Sequence, residues 1–240
     1  MVRLLVPHAG EGEVTIEGPR LHYVTRVLRL VTGDALEVFD GRGGRFEAKV
    51  KIVTAEQAVL LLGARAEAPV ARSITIVQGL PKGDKLELVL QKGTELGASA
   101  FVPVACARSI VKLDGKEETK RTRWQRIVEV AARQCGRADV PEVALPAPLL
   151  KAIDALPGSP ALLVLDEEER ALPLSVAVSG LGDRPLAFII GPEGGLERDE
   201  VNALISRGAI PVTLGKLVLR TETAALAALA VLRHLDGELG

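Results

Sequence analysis

The chain has 240 residues, enough for one large or two modest domains. Hydrophobic residues make up 48% and charged residues 25%, which excludes a disordered chain. The formal net charge of −1 excludes a globally basic nucleic-acid binder, so any basic surface must be local, and aromatic residues, at 2%, are too few for base-stacking platforms.

Residues 1–69 read as β structure. The first fourteen residues lack the apolar core of a signal peptide, and no run of eighteen apolar residues follows. A cytosolic protein with no membrane association is expected. Residues 2–6 are a short strand, and residues 35–39 another. Residues 46–52 alternate: Phe46, Ala48, Val50 and Ile52 on one face, Glu47, Lys49 and Lys51 on the other. That is the pattern of a half-buried antiparallel strand. Asp40-Gly41-Arg42-Gly43-Gly44 is the hairpin-type connection before it, and residues 58–62 close the set. Short strands separated by turns predict a small barrel. Between strands, residues 22–30 put Val24, Val27 and Leu28 on one helical face and Arg26 and Arg29 off it. Residues 20–51 carry seven basic side chains against four acidic ones, either an ordinary solvated face or a patch for phosphate. Residues 63–72, GARAEAPVAR, have no periodic pattern and read as a linker. Two domains are expected, 1–69 and 70–240.

Residues 73–79 are the first strand of the second part. Asp84 is placed to cap the next helix, with Leu86, Val89, Leu90 and Leu96 on its buried face and Gly97 at its end. Residues 101–104 form another strand, after which strands and helices alternate, as in a parallel α/β sheet. Residues 108–137 hold nine basic side chains against four acidic ones. Within them Trp124, Ile127, Val128, Ala131, Ala132 and Cys135 recur at helical spacing, and Gly136 ends the helix. Arg123, Arg126, Arg133 and Arg137 fall on or just beyond its other face, either snorkelling into solvent or meeting phosphate. Cys106 and Cys135 make neither a disulfide framework nor a zinc site and read as small core residues. Residues 161–165 are a buried strand that ends in Asp166-Glu167-Glu168-Glu169.

Residues 186–225 organise the rest. Five apolar residues run into Gly191-Pro192-Glu193-Gly194-Gly195, followed by an amphipathic segment and a second apolar strand at 211–214. Gly215 opens a second turn, and Leu217 to Arg220 lead into an alanine-rich helix at 222–235. A continuous apolar run is a strand buried on both faces of a parallel sheet. Ligands of such sheets sit at the carboxyl ends of the strands, where both turns fall. Neither G-x-G-x-x-G nor G-x-x-x-x-G-K-[ST] occurs. Pro192 stiffens the loop and Glu193 adds a carboxylate, so a ligand without phosphate, or a cationic one, suits it better. The last helix, with Leu226, Leu229 and Leu232 among alanines and few charges before Arg233, needs cover on more than one side. No metal-spaced His/Cys/Asp cluster occurs.

GPEGG followed by LGKLVLRTETA resembles the carboxyl-terminal signature of the RsmE family, the ribosomal RNA small subunit methyltransferases E of the SPOUT class. HYVTRVLRLVTGD (residues 22–34), QKGTELGASAFVPVACARSIV (91–111) and RWQRIVEVAARQCGRADVPEV (123–143) match in order, so the resemblance spans nearly the whole chain. It implies a PUA-like RNA-binding β-barrel before a SPOUT-type, trefoil-knotted parallel α/β domain, and a homodimer joined through the last helix. It implies S-adenosylmethionine as methyl donor, with no metal. The cofactor would be folded back among three turns, held mainly by backbone groups of Leu165, Asp166, Gly191, Pro192, Glu193, Gly194, Gly195, Leu214, Gly215, Leu217, Leu219 and Arg220. The reaction implied is methylation of N3 of one uridine, position 1498, in 16S ribosomal RNA of the small ribosomal subunit. Candidates for catalysis and target positioning are Arg220, Glu222, Arg108, Gln134 and Arg137; Arg220 and Glu222 pairing with each other is the alternative. Arg3, His22, Arg26 and Arg29 are candidates for RNA contact. No residue of the motifs stands out as the proton acceptor. A SPOUT enzyme for another RNA nucleotide and a non-catalytic ribosome-assembly factor are the competing readings. A nucleotide-dependent oxidoreductase lacks its fingerprint.

Overall fold

The computed structural model describes residues 2–69, 71–111, 113 and 115–240; Val70 of the expected linker and Lys112 and Asp114 of the basic stretch lie outside them. The chain divides into two compact units. One is Met1–Val70 with Ala132–Val140, the other Ala71–Ala131 with Pro141–Gly240.

The first unit is built on strands β1 (Arg3–Leu5), β2 (Gly12–Ile16), β3 (Ala35–Phe39), β4 (Gly44–Val53) and β5 (Ala58–Glu67), in the spatial order β1-β3-β4-β5-β2. β1 runs parallel to β3 and every other pairing is antiparallel. Residues from all five strands share one core, including Leu4, Ile16, Val38, Phe46 and Leu60. It is plugged by Leu21 and Val24 of helix α1 (Gly18–His22) and the π-helical turn that continues it (Tyr23–Val27). The wide turn corrects one expectation: Leu28 N–H bonds Tyr23 C=O at 2.9 Å, five residues back, and Val27 is left exposed while Val24 is buried. Ile52 also leaves its expected face, because the register of β4 against β5 shifts between Val50 and Ile52. The expected linker begins too early. β4 is ten residues long, and its hairpin partner must match it, so Arg65, Ala66 and Glu67 pair with Phe46, Arg45 and Gly44. Both faces of that extension are exposed, which removed the alternation that marks a strand.

In the second unit β6 (Ile74–Gly79), α2 (Lys85–Glu95), β7 (Ala100–Ala105), α3 (Glu117–Cys135), β8 (Glu142–Val143), β9 (Ala147–Pro148), α4 (Leu149–Asp154), β10 (Ala161–Leu165), α5 (Leu174–Ser179), β11 (Leu186–Ile190), α6 (Arg198–Ile205), β12 (Ile210–Val212) and α7 (Thr221–Leu235) follow in turn. The sheet order is β12-β10-β11-β6-β7-β8, with β9 also on β7, and every pairing is parallel. All five residues of β11 are buried, as its unbroken apolar run requires. The order makes the end of the chain unusual. β12 lies on the far side of β10, yet Thr221 at the start of α7 hydrogen-bonds Gly191, just past β11. Residues 213–220 therefore cross the carboxyl end of β10. Alanine gives α7 its helix propensity and allows close packing, chiefly on α2.

Two details depart from the sequence reading, and a third goes beyond it. Asp84 stands at the amino end of α2, but its side chain makes no capping bond. On α3, Trp124, Val128, Ala131 and Ala132 are buried but Cys135 is exposed: the apolar stripe outlasts its cover, and only Cys106 is a core thiol. Arg233, the charge that follows the apolar run of α7, is buried, donating to Arg72 C=O at 2.9 Å and to Gly97 C=O. The α2 carboxyl end is a glycine turn, Gly97 at φ +96°, that leaves room for the Arg233 guanidinium.

Candidate functional site

The carboxyl ends of β10, β11 and β12 surround a cavity of about 410 Å³, a size suited to a small organic ligand. Its apolar wall comes from the strand ends and the helices behind them, including Leu165, Ile190, Leu196, Val201 and Ala224. Its rim is backbone and charge. Leu165, Asp166, Gly191, Pro192, Glu193, Gly195, Leu214, Gly215, Leu217, Leu219 and Arg220 all face it. Gly194 does not line it; the Gly194 carbonyl accepts a hydrogen bond at 3.0 Å from Arg108 Nη1, and Arg108 does line the cavity.

The turn after β11 is packed backbone against backbone. A Cβ on Gly191 would lie 2.8 Å from the Gly195 carbonyl carbon. A Cβ on Gly79, at the end of β6, would lie 2.5 Å from the Pro192 nitrogen. Glycine at both positions is what lets the loop fold into the strand ends. Gly195 itself is left-handed, at φ +70°.

The acids around the cavity are mostly engaged. Asp166 accepts both guanidinium nitrogens of Arg198 at 2.7 Å, and Glu168 adds a contact to the same arginine at 3.3 Å. The hydrogen bonds from Arg198 hold the Asp166 carboxyl below its ordinary range despite burial. Glu193 accepts from Lys82 N–H at 3.0 Å and Lys85 Nζ at 2.7 Å. Burial pushes its carboxyl up, but the Lys85 and backbone bonds outweigh this and leave it lowered. The Glu193 carboxylate that suggested a cationic ligand, and Asp166 across the cavity, are thus partly neutralised by the protein's own cations. Glu167, one of the acids at the end of β10, also lines the cavity; Arg198 and Lys85 do too and were missed, because nothing in their spacing separates them from surface charge. Glu200, opposite Glu197 in a capping box that starts α6, could have been found from its spacing. It also accepts from Ala107 N–H at 2.8 Å, which ties the loop after β7 to the site.

The remaining candidates separate. Arg220 stands just before the first turn of α7, makes no side-chain capping bond, and is exposed on the cavity rim. Glu222 is buried two residues on, off the cavity wall, and among the described residues its Oε2 has no hydrogen-bond partner. Among the described residues no ion pair joins it to Arg220. Gln134 and Arg137 belong to the segment Ala132–Val140 of the first unit, Gln134 exposed and Arg137 paired with Asp139. His22, Arg26 and Arg29 are exposed around the π-helical turn, Arg29 at φ +53°. Arg3 is different. It pairs with Glu37 at 2.6 Å, donates to Arg133 C=O at 3.3 Å and Arg137 C=O at 3.0 Å, and lies 4.7 Å over the Phe39 ring. Its guanidinium caps the carbonyls at the end of α3, which has no partners of its own there.

Among the described residues no group of three or more His, Cys, Asp or Glu could hold a metal ion, and no helix is long and apolar enough to cross a membrane.

Comparison with known proteins places this geometry. Residues 67–233 match the family described as an RNA methyltransferase domain, and residues 16–62 an RNA methyltransferase PUA domain. The chain is 35% identical to the ribosomal RNA small subunit methyltransferase E of Synechocystis over 94% of its own length and 74% of the relative's. Against that of Bacillus subtilis the identity is also 35%, over 92% and 89%. A crystal structure of the Neisseria gonorrhoeae ribosomal RNA small subunit methyltransferase E, bound to S-adenosylmethionine, superposes with a TM-score of 0.83 at 32% identity, covering 98% of each chain. The expected architecture, a PUA unit with a parallel α/β unit, is the one observed, and the chain belongs to the family of the ribosomal RNA small subunit methyltransferases E.

Proposed function

We propose that the protein transfers a methyl group from S-adenosylmethionine to N3 of a uridine in 16S ribosomal RNA, the site expected being position 1498. The observation that carries the reading is the cavity at the ends of β10, β11 and β12, walled by apolar side chains and the backbone of two glycine turns. Its apolar wall and its backbone groups suit an adenine and a folded amino acid chain. When bound, S-adenosylmethionine would supply an electrophilic methyl on its sulfonium. The Neisseria relative with that molecule bound supports the fit.

The acceptor nitrogen must lose its proton before its lone pair can attack, and negative charge then spreads onto O2 and O4. Arg220 and Arg108, both exposed on the cavity wall, are the cations we assign to those oxygens. Glu222 is buried off that wall, so we assign it no contact with reacting atoms. Gln134, Arg137, His22, Arg26 and Arg29 we assign to the RNA rather than to chemistry, since phosphate contacts supply the sequence-independent affinity. Arg3 leaves that set, its side chain being largely buried and all three of its nitrogens engaged within the first unit. A homodimer completes the reading: Leu217 and Val218, 81% and 76% exposed, make an apolar patch beside the cavity that a second copy would cover. The passage of residues 213–220 across β10 supports the trefoil path. Residues 1–69 form the RNA-binding domain in this reading, joined by the segment Ala132–Val140, and the rest of residues 70–240 the catalytic and dimerising one.

The test is methyl transfer to small ribosomal subunits lacking the modification, with the label mapped by nucleoside analysis. Label in N3-methyluridine at one position is the expected outcome. Cofactor binding without transfer would remove the substrate, and absence of both would leave an assembly factor.

A further inference from the structure

We infer that Gln78 is a positioning residue that sets the width of the cavity without touching its contents. β6 and β11 pair with Gln78 opposite Ile190, so the Gln78 side chain reaches the point where β11 gives way to its glycine turn. Its Nε2 donates to Thr221 Oγ1 at 2.7 Å and lies 3.1 Å from Gly79 C=O and 3.4 Å from Gly191 C=O. Thr221 Oγ1 in turn donates to Gly191 C=O at 2.6 Å. One amide and one hydroxyl therefore join the end of β6, the turn after β11 and the first residue of α7. Gly191 and Thr221 line the cavity; Gln78 does not, and acts through them.

The other end of the same amide sets a cost against the stability that these contacts supply. Gln78 is buried, and its Oε1 has no hydrogen-bond partner among the described residues. A buried acceptor left unsatisfied is a cost that an apolar side chain of similar shape would not bear. What the Nε2 contacts hold is a geometry. The geometry held is the separation of the Gly191 turn from the start of α7, two of the walls that a ligand must fit between.

The experiment compares Gln78→Leu, Thr221→Val and Thr221→Ser by amide hydrogen exchange in the ligand-free protein, with melting temperature alongside. Gln78→Leu should melt at or above the wild-type temperature. Its amides in residues 191–195 and in the first turn of α7 should exchange at least tenfold faster, while those of β7 and β10 keep their rates. Thr221→Val should reproduce the local change, and Thr221→Ser, which keeps the bridging hydroxyl, should restore it. Wild-type exchange in Gln78→Leu, or faster exchange everywhere with a lowered melting temperature, would overturn the inference. Should Gln78→Leu fail to fold, the Thr221 pair decides alone, equal behaviour of Val and Ser counting against it. Calorimetry with S-adenosylmethionine is the second arm and the only one that rests on the methyl-donor reading. Binding at least tenfold weaker in Gln78→Leu is expected, and unchanged affinity counts against the positioning role. A wild-type protein that does not bind S-adenosylmethionine would remove the proposed function and leave the exchange result to judge Gln78.

Discussion

The two cysteines show how far apart similar residues can be carried by their surroundings. Cys106 is buried, and burial with the nearby Glu200 charge pushes its thiol up to about 12; Cys135 is exposed. The thiolate is the reactive form. At pH 8 a thiol reagent should therefore modify one site quickly, Cys135, and a second only on denaturation; mass mapping of the labelled peptides checks this, and prompt labelling of Cys106 would contradict it. Asp166 makes a prediction in pH. Its carboxyl is held low by hydrogen bonds from Arg198, so the stabilisation is present above the ordinary carboxylate range of about 4 and is lost as pH falls toward the folded-state value. Urea midpoints at pH 7 and pH 3 should differ less in Asp166→Asn than in the wild type. An equal difference would mean that Asp166 is not a source of the acid sensitivity.

Among elements, α2 and α7 form the largest helix contact, and the burial along α2 separates structural from neutral positions. Leu90 is fully buried and Leu88 is 42% exposed. Leu90→Ala should lower stability by about 2–5 kcal/mol through lost burial and the cavity left behind, and Leu88→Ala by no more than about 0.5 kcal/mol. The strand ends respond in the opposite sense, to added volume. Gly79→Ala drives a Cβ to 2.5 Å from the Pro192 nitrogen and must displace backbone, a strain of about 1–3 kcal/mol. Because the displaced atoms belong to the turn that walls the cavity, ligand affinity should fall with it. Equilibrium denaturation with ligand titration separates the two losses.

At the scale of the whole molecule the net charge is −1, and affinity for a polyanion must come from local clusters. In the first unit Arg26 and Arg29 are exposed around the π-helical turn, and among the described residues neither makes an ion pair. If they meet phosphate, Arg26→Ala with Arg29→Ala should lower RNA affinity and flatten the dependence of log affinity on log salt by about 2. A weakened affinity with an unchanged salt slope would move the contact away from phosphate.

The sequence by itself determined the longer elements and much of the cavity's rim, but not β2, α4 or α5, which are too short to carry a period. Uninterrupted apolar runs identify β10 and β11, helical spacing identifies α3, and the two glycine turns mark the cavity rim, because burial and backbone freedom leave local signatures. Ile52, Val27 and Cys135 were misplaced where a register shift, a wide helical turn and the end of a packed face broke the local period. Only the tertiary structure decided which charges are engaged. Arg3 capping α3, Arg198 on Asp166, and Gln78 reaching Thr221 all join residues more than thirty positions apart. Their spacing carries no period, and a polar side chain that will be buried and partnered has the same letter as one that will face water.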